Sequence, residues 1–339
     1  MLNLDTLIKK QQSSPSPFVG KVAPYSPNRI LCIDGDYLAY FASASPDTDS
    51  AFACYIANQL ICEMQVASGA AKVFVCLTSR GSPKGLRYLF APEDYPYQGQ
   101  RHGVHPANWE IVRTYLENRE EALFTEFLEA DDILRMFTTL DKYEVVIATR
   151  DKDLRMCTGC WHLDWTEKEL TYVPKGSYCV PSVCDPELYY GTKFFCYQLL
   201  VGDVADHIKG LPYYTVNGKQ RKIGSKAALK MLANTNTLEE GLDVVIELYK
   251  SFNDDYFKYL SQQILLLWIK EKEDVETFHF KTKHPRLYLA LVRLFEEVHG
   301  EYREVNGEES YDLERDTALK TIRDLRNMSP SDWYRESRS

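Results

Sequence analysis

The sequence lacks a long hydrophobic run. Its longest uninterrupted stretch of aliphatic and aromatic residues spans positions 264–269, far short of the roughly 20 residues that a transmembrane helix needs. The first residues also lack the charged, apolar and small-residue order of a secretory signal. We therefore expect no membrane partner and a cytoplasmic location.

The chain also lacks the excess of positive charge that is typical of nucleic-acid-binding proteins. It has 40 Lys and Arg against 49 Asp and Glu, a net charge of −9. Eight of the carboxylates fall in a few short packets, and they account for nearly the whole excess. The remaining surface is close to neutral, so any DNA-binding surface has to be local and basic.

The nine cysteines lack a regular metal-binding spacing. Several lie inside apolar runs, Cys32 for example, as thiols commonly do in a reducing compartment. Cys157 and Cys160 form a Cys-x-x-Cys pair, but Cys179 and Cys184 are separated by four residues. We favour structural thiols over a zinc site, because the pairing is irregular and the segment between the pairs has the pattern of a β-hairpin.

The most informative residues that are present are the carboxylates of the short packets, each of which lies close to an apolar run. They are Asp34, Glu129, Asp131, Asp132, Asp151, Asp153, Asp203 and Asp206. If the fold brings them together, repulsion and desolvation force protonation unless cations lie between them. Mg²⁺, with Mn²⁺ as a substitute, prefers such oxygen ligands, and two such ions suit displacement at a phosphate. The alternative for Asp131 and Asp132 is that acids favour the first turn of a helix.

Apolar patterns predict strands at 29–33, 72–78 and 144–149 and helices at 51–66, 109–124 and 129–140. Strands that alternate with helices predict an α/β fold, a parallel-sheet core with helices on both faces. Ligands of such sheets bind beyond the carboxyl ends of the strands, where Asp34 and Asp151 fall.

The chain divides into four predicted regions. A flexible arm at 1–28 precedes a nuclease core at 29–197, which contains a Gly- and Pro-rich insertion at about 79–127. A helical DNA-binding subdomain at 198–300 and a charged, peripheral tail at 301–339 follow.

The third of these regions, 198–300, contains a predicted local basic surface. Lys219, Arg221 and Lys222 lie close together, and Ser225 is predicted to cap the helix that carries Lys226. The free N–H groups of that helix start, with Lys226, would bind a phosphate. The alternative is a solvated loop, the usual location of a run of charges.

With these motifs the chain resembles the 5′-nuclease (flap endonuclease-like) superfamily, most of all the 5′→3′ exonucleases of short-tailed coliphages. The motifs are IDGDYLAY, YQGQR, EADD, TRDKDL and GDVADHIKGLP followed by GSKAA, and the resemblance covers residues 29–270. It implies a helical arch or clamp over the active site. It also implies a helix–turn–helix-like subdomain that binds duplex DNA, often with K⁺.

The resemblance also implies roles for individual residues. It assigns a first metal region to Asp34, Glu129, Asp131, Asp151 and Asp153, and a second to Asp203 and Asp206. Arg101 keeps the last position of the family's Tyr-Lys-x-x-Arg pattern and is the predicted catalytic cation, while Gln98 replaces the lysine. Ser79-Arg80 stands where the family has a further Asp. Arg87, in the same insertion, is a predicted DNA contact.

We therefore expect a metal-dependent 5′→3′ DNA exonuclease acting near 5′ ends of duplex DNA in phage replication or recombination. Flap cleavage and removal of RNA from RNA–DNA hybrids are expected as further activities. One alternative is a haloacid-dehalogenase-like phosphatase, because Asp34 and Asp36 resemble its nucleophile–acid pair. Another is a non-catalytic DNA-binding relative, as the departures at Ser79 and Gln98 would suggest.

Overall fold

The computed structural model describes residues 22–44, 48–101, 105–185, 187–216, 219–252, 255–271, 283–306 and 316–332. Most of the predicted N-terminal arm lies outside these described residues. The strands are β1 (Ser26–Asp34), β2 (Ala70–Thr78), β3 (Ala122–Thr125), β4 (Glu144–Ala148), β5 (Cys160–Leu163), β6 (Leu170–Val173), β7 (Val180–Pro181), β8 (Tyr189–Tyr190), β9 (Tyr214–Val216) and β10 (Lys219–Arg221).

The α-helices within the described residues follow the strands in alternation over the first half of the chain and dominate the second half. They are α1 (Gly35–Ala42), α2 (Ser50–Ser68), α3 (Arg87–Phe90), α4 (Trp109–Glu117), α5 (Ala130–Phe137), α6 (Lys193–Val201), α7 (Ser225–Met231), α8 (Leu238–Lys250), α9 (Tyr256–Leu267), α10 (Pro285–Asn306) and α11 (Thr317–Asn327). None of these helices combines the length and the apolar composition that a bilayer crossing requires.

A six-stranded sheet forms the centre of the fold, in the order β3-β2-β1-β4-β5-β6. Strands β3, β2, β1, β4 and β5 are mutually parallel, and β6 returns antiparallel to β5 as the predicted hairpin. Because side chains alternate along a strand, β1 contributes Ile30 and Cys32 to one apolar cluster and Leu31 and Ile33 to the other. The α/β prediction is confirmed, with helices on both faces of the sheet.

Helix α1 begins directly at the end of β1, which fixes the position of the first acidic residue. The Asp34 side chain caps the helix by accepting a hydrogen bond from the Tyr37 N–H at 2.9 Å. Gly35 allows the close approach to β2, since a Cβ there would lie 2.7 Å from the carbonyl oxygen of Cys76. The sharp turn therefore holds Asp34 at the carboxyl edge of the sheet.

The predicted helix at 109–124 is wrong in its second half. Helix α4 ends at Glu117 and packs on α1 and α2, where Val112 and Leu116 are buried. The chain then forms β3, which pairs with β2 at the edge of the sheet. The last part of the predicted insertion consequently belongs to the core.

The C-terminal segment also differs from the prediction. Within the predicted peripheral tail, α11 packs on β3 and α5 and buries Leu319, Ile322 and Leu325. The buried Asp316 caps this helix and also accepts the Glu126 N–H at 2.9 Å, which links it to the residues just after β3. Apolar residues at helical spacing among many charges explain the packing.

The predicted basic segment is a hairpin followed by a helix. Strands β9 and β10 pair antiparallel and present Lys219 and Arg221. The predicted cap at Ser225 is wrong, because Gly224 occupies the N-cap position and Ser225 is the first helical residue.

Candidate active site

The acidic residues meet because adjacent elements deliver them to one edge of the sheet. Asp34 ends β1, and Asp151 and Asp153 follow the neighbouring strand β4. Glu129 and Asp131 begin α5, which packs on β1 and β2. Asp203 and Asp206 lie in the turn that follows α6, which contacts the short 3₁₀ helix Asp153–Met156.

A chain of short contacts joins the carboxylates of the two central strands. The Thr149 hydroxyl donates to Asp34 Oδ2 at 2.8 Å and accepts from the Asp151 N–H at 2.9 Å. The Asp153 N–H in turn donates to Asp151 Oδ1 at 2.9 Å. Thr149 therefore fixes the separation of the two strand-end packets.

The turn that carries Asp203 and Asp206 depends on two glycines. Gly202 and Gly210 have positive φ values of 74° and 62°, and a Cβ on Gly202 would lie 2.2 Å from the Ile208 carbonyl oxygen. This close approach lets Asp203 and Ile208 pair as an isolated bridge, while Asp203 Oδ1 accepts the Ala205 N–H at 2.8 Å. The bridge and this hydrogen bond hold the Asp203 backbone and side chain in place where the turn meets the acidic cluster.

Three carboxylates have the geometry of a metal site. Potential ligand atoms of Asp153, Asp203 and Asp206 all lie within 4.8 Å of one another. The Gln198 side-chain amide donates to Asp153 Oδ1 at 2.7 Å and lies 3.3 Å from Asp203 Oδ2. Lys152 also contacts Asp153 and Asp203 through its ammonium group.

A tyrosine connects this group to the start of α5. The buried Tyr97 hydroxyl lies 3.0 Å from Glu129 Oε2 and 3.3 Å from Asp206 Oδ2. The phenol remains protonated, since burial and the adjacent Glu129 and Asp206 raise its pKa well above the ordinary value. Tyr97 is therefore a hydrogen-bond donor located between the two predicted metal regions, one containing Glu129 and the other Asp206.

Burial makes this cluster a poor place for uncompensated negative charge. Burial, together with the adjacent Asp36, raises the pKa of Asp34 to about 7. Burial and the neighbouring Asp151 raise the pKa values of Asp131 and Asp153 well above their usual range. Divalent cations would relieve this repulsion and favour the ionised carboxylates.

The donor set fits a hard divalent cation. All predicted ligands are carboxylate oxygens, which Mg²⁺ and Mn²⁺ prefer. The buried Gln198 Oε1 has no hydrogen-bond partner among the described residues. The other end of the same amide, Nε2, faces Asp153 and Asp203 and holds these two carboxylates side by side.

Two predicted site residues have a structural role instead. Asp132, predicted as a metal ligand, is fully buried and pairs with Arg87 through contacts of 2.7 and 2.8 Å. It also accepts the Lys270 N–H at 2.8 Å. Burial alone would raise the pKa of Asp132. The Arg87 guanidinium outweighs this effect and holds that pKa below its ordinary value. Arg87, predicted to contact DNA, is only 3% exposed and so faces the protein interior.

The YQGQR segment lies against the acidic cluster. Arg101 forms an ion pair with Asp206 and remains half exposed. Gln98 donates its side-chain amide to Asp206 Oδ1 at 3.0 Å, and its carbonyl oxygen accepts from the Lys84 ammonium. Lys84 also lies 3.7 Å from Glu129 Oε1. Lys84 therefore places an ammonium group beside Gln98, the position where the resembling family has a lysine.

Apart from the buried Arg87, the residues predicted to bind DNA are exposed. They are Lys219, Arg221, Lys222, Ser225 and Lys226. Ion pairs within the described residues involve none of the four cations among them, so their charge is directed to solvent.

The cysteine pair lies inside the protein. Cys157 and Cys160 are buried, and His162 Nε2 lies 3.0 Å from the Cys157 carbonyl oxygen. Burial raises the pKa of Cys157 to about 12, which disfavours the thiolate that zinc requires. Cys179 is exposed, and the one group of metal-binding geometry found among the described residues contains no cysteine.

Sequence reasoning missed several residues that contact the cluster, among them Thr149, Gln198, Lys152 and Tyr97. Gln198 had a usable signal, because it is a single amide inside the apolar helix α6, five residues before Asp203. The other three are polar residues inside quoted motifs, where the pattern emphasised the acids.

Comparison with known proteins leaves the chain without a matching family model or a matching curated protein. Solved structures similar to it include T5 5′-exonuclease with bound divalent zinc ions, at 16% identity over 89% of this chain and 99% of that chain, with a TM-score of 0.49. The T5 D15 protein co-crystallised with metal ions is similar at 16% identity over 80% of this chain and 99% of that chain, with a TM-score of 0.47.

Proposed function

We propose that the protein is a Mg²⁺-dependent 5′→3′ DNA exonuclease that hydrolyses phosphodiester bonds near the 5′ ends of duplex DNA. Cleavage of flaps and removal of RNA primers are proposed as further activities of the same site. The observation that carries the proposal is the meeting of carboxylates from four chain segments at the carboxyl edge of a parallel sheet. They are Asp34, Glu129, Asp131, Asp151, Asp153, Asp203 and Asp206.

These carboxylates form two neighbouring regions, each of which would bind one divalent ion. Asp153, Asp203 and Asp206 would hold one ion, and the carboxylates at the ends of β1 and β4 and the start of α5 would hold another. Such ions, when bound, lower the pKa of a coordinated water and stabilise the charge that develops on a phosphate. Thr149, Gln198 and the Gly202–Gly210 turn keep the carboxylates in position.

Cations on the open side of the cluster would bind the substrate phosphate. Arg101 is half exposed beside Asp206, and its planar guanidinium can bind two phosphate oxygens. Its charge is permanent at working pH. The exposed hairpin cations Lys219, Arg221 and Lys222 supply a sequence-independent contact to the duplex backbone.

The phosphatase alternative receives little support from the position of Asp36. Its carboxylate pairs with the buried Arg113 and accepts the Thr78 N–H at 3.3 Å. These contacts hold both carboxylate oxygens of Asp36 at the end of β2, so the carboxyl group is not free to approach a leaving group. The predicted pairing of Asp34 with Asp36 as nucleophile and acid is therefore not proposed.

Duplexes labelled at the 5′ or the 3′ end test the proposal. With Mg²⁺, the 5′ label is expected to appear first in very short products, while the 3′-labelled strand shortens gradually. A chelator should stop both reactions. Hydrolysis of an aryl phosphate without DNA cleavage would instead favour the phosphatase, and a gel shift without Mg²⁺-dependent product would favour a non-catalytic DNA-binding protein.

A further inference from the structure

Lys152 brings a positive charge into the group of carboxylates that has metal-binding geometry. Its ammonium lies 3.1 Å from Asp153 Oδ1 and forms a hydrogen-bonded ion pair with Asp203 Oδ2. Asp153 and Asp203 are two of the three members of that group. The lysine therefore binds the same carboxylates that the proposed function assigns to a divalent ion.

The ammonium and a divalent ion cannot share these oxygens without cost. A Mg²⁺ or Mn²⁺ ion would lie about 2.1 Å from each ligand oxygen, within a few Å of the ammonium nitrogen. Two cations at such a separation repel strongly in a poorly solvated cleft. One of them has to move away before the other binds to both carboxylates.

Lys152 is able to leave, whereas the carboxylates are not. Its side chain is 42% exposed, while that of Asp203 is 1% exposed. Lysine is a flexible, strongly hydrated cation, so it can swing into solvent. Gln198 still donates to Asp153 and lies against Asp203, which keeps both carboxylates in place after the lysine has left.

We propose that Lys152 is an internal counter-ion that competes with the divalent metal for Asp153 and Asp203 and so sets the metal concentration that the site requires. The proposal rests on the metal site of the proposed function, but it concerns binding alone. Lys152 stabilises the metal-free cluster and weakens metal affinity at the same time.

Titration of the DNA-free protein with Mn²⁺, followed by calorimetry and by the electron paramagnetic resonance of free Mn²⁺, tests the proposal. We expect Lys152→Met and Lys152→Gln to bind Mn²⁺ about tenfold more tightly than the parent, because a competing charge is gone. Lys152→Arg keeps the charge and should stay within about twofold of the parent. Lys175→Met is the matched control, since Lys175 forms an exposed aspartate pair with Asp141, outside the metal group.

Equal or weaker Mn²⁺ binding by both neutral variants, with circular dichroism spectra like that of the parent, would overturn the proposal. The same holds if Lys175→Met tightens binding as much as Lys152→Met. DNA cleavage tests the proposed function separately. If the variants bind Mn²⁺ in the expected order but the parent protein does not cut DNA, the role of Lys152 is supported and the proposed nuclease activity is wrong.

Discussion

Asp131 and Asp132 are neighbours in the sequence and have opposite surroundings in the fold. Burial and the carboxylates of Asp151 and Asp34 raise the pKa of Asp131 well above its ordinary value. Asp132 points into the core, where it pairs with Arg87 and completes a capping box with Glu129. Adjacent side chains on a helix diverge in direction, so the motif alone could not separate the proposed ligand, Asp131, from the structural residue, Asp132.

Arg87→Met should therefore destabilise the protein rather than weaken its binding to DNA. Removing one partner of a buried ion pair leaves a desolvated charge, which costs about 3–5 kcal/mol of the free energy of unfolding. Urea unfolding measures this loss. Arg80→Met is the control, since Arg80 pairs at the surface with Glu110, and it should cost less than about 1 kcal/mol. An Arg87→Met protein of parental stability and reduced DNA affinity would contradict the assignment.

Arg101 is expected to act in the cleavage step. A cation that stabilises developing phosphate charge matters most in the transition state, so Arg101→Ala should lower the single-turnover rate on the order of 100-fold. Arg80→Ala is matched in exposure, with a side chain 52% exposed against 54% for Arg101, and should cut at nearly the parental rate. Equal rates for Arg101→Ala and the parent would remove Arg101 from the site.

Helices and strands with a clear pattern of apolar residues could be predicted from the sequence. The strands at the centre of the sheet are short apolar runs, and β1, β2 and β4 lie within a few residues of their predicted bounds. The end of α4 was not predictable, because the charged residues after Glu117 fit a helix as well as a turn. Helix α11 was missed because only its buried stripe, including Ile322 and Leu325, reveals the packing.

Part of the candidate site could also be predicted, because the order of strands and acids in the sequence determines where some of the acids lie. Acids that follow buried parallel strands have to meet at one edge, so the packets at Asp34 and Asp151 could be placed from the sequence. Contacts that depend on side-chain direction could not. The donation from Gln198 to Asp153 and the pairing of Lys152 with Asp203 arise only once α6 packs beside the 3₁₀ helix.

The β9–β10 hairpin is the element expected to bind the duplex backbone. If Arg221 and Lys222 contact phosphates, the double variant Arg221→Ala/Lys222→Ala should flatten the plot of log affinity against log salt by roughly 0.9 per lost contact. Affinity should fall alike for different sequences. Lys320→Ala, an exposed lysine on α11, should leave the slope unchanged. A parental slope in the double variant would show that the hairpin does not contact DNA.

On the scale of the whole molecule, the acidic cluster opposes folding when its residues ionise. Asp34 has a pKa of about 7 in the folded protein against an ordinary value of 3.8, with burial as the main cause. Between these values the unfolded chain loses a proton that the folded protein keeps. The free energy of unfolding therefore falls as pH rises from about 4 to about 7, by roughly 4 kcal/mol for a shift of this size.

Chemical unfolding at pH 5 and pH 8 checks this expectation, once with a chelator and once with Mg²⁺ in its place. Asp34→Asn should gain stability relative to the parent as the pH rises, because it has no proton to lose. Mg²⁺ should stabilise the parent more at pH 8 than at pH 5, since it binds the ionised carboxylates of the folded state. A Mg²⁺ effect that is equal at both pH values would contradict a buried carboxylate site.

The most direct test of the account is Mg²⁺-dependent cleavage of a 5′-labelled duplex by the parent and by Asp153→Asn/Asp203→Asn under single-turnover conditions. The substitutions keep volume and remove two charges from the group with metal-binding geometry. We expect the rate to fall at least about a thousandfold, with duplex affinity retained. A double variant that still cuts the duplex near the parental rate with Mg²⁺ would contradict it.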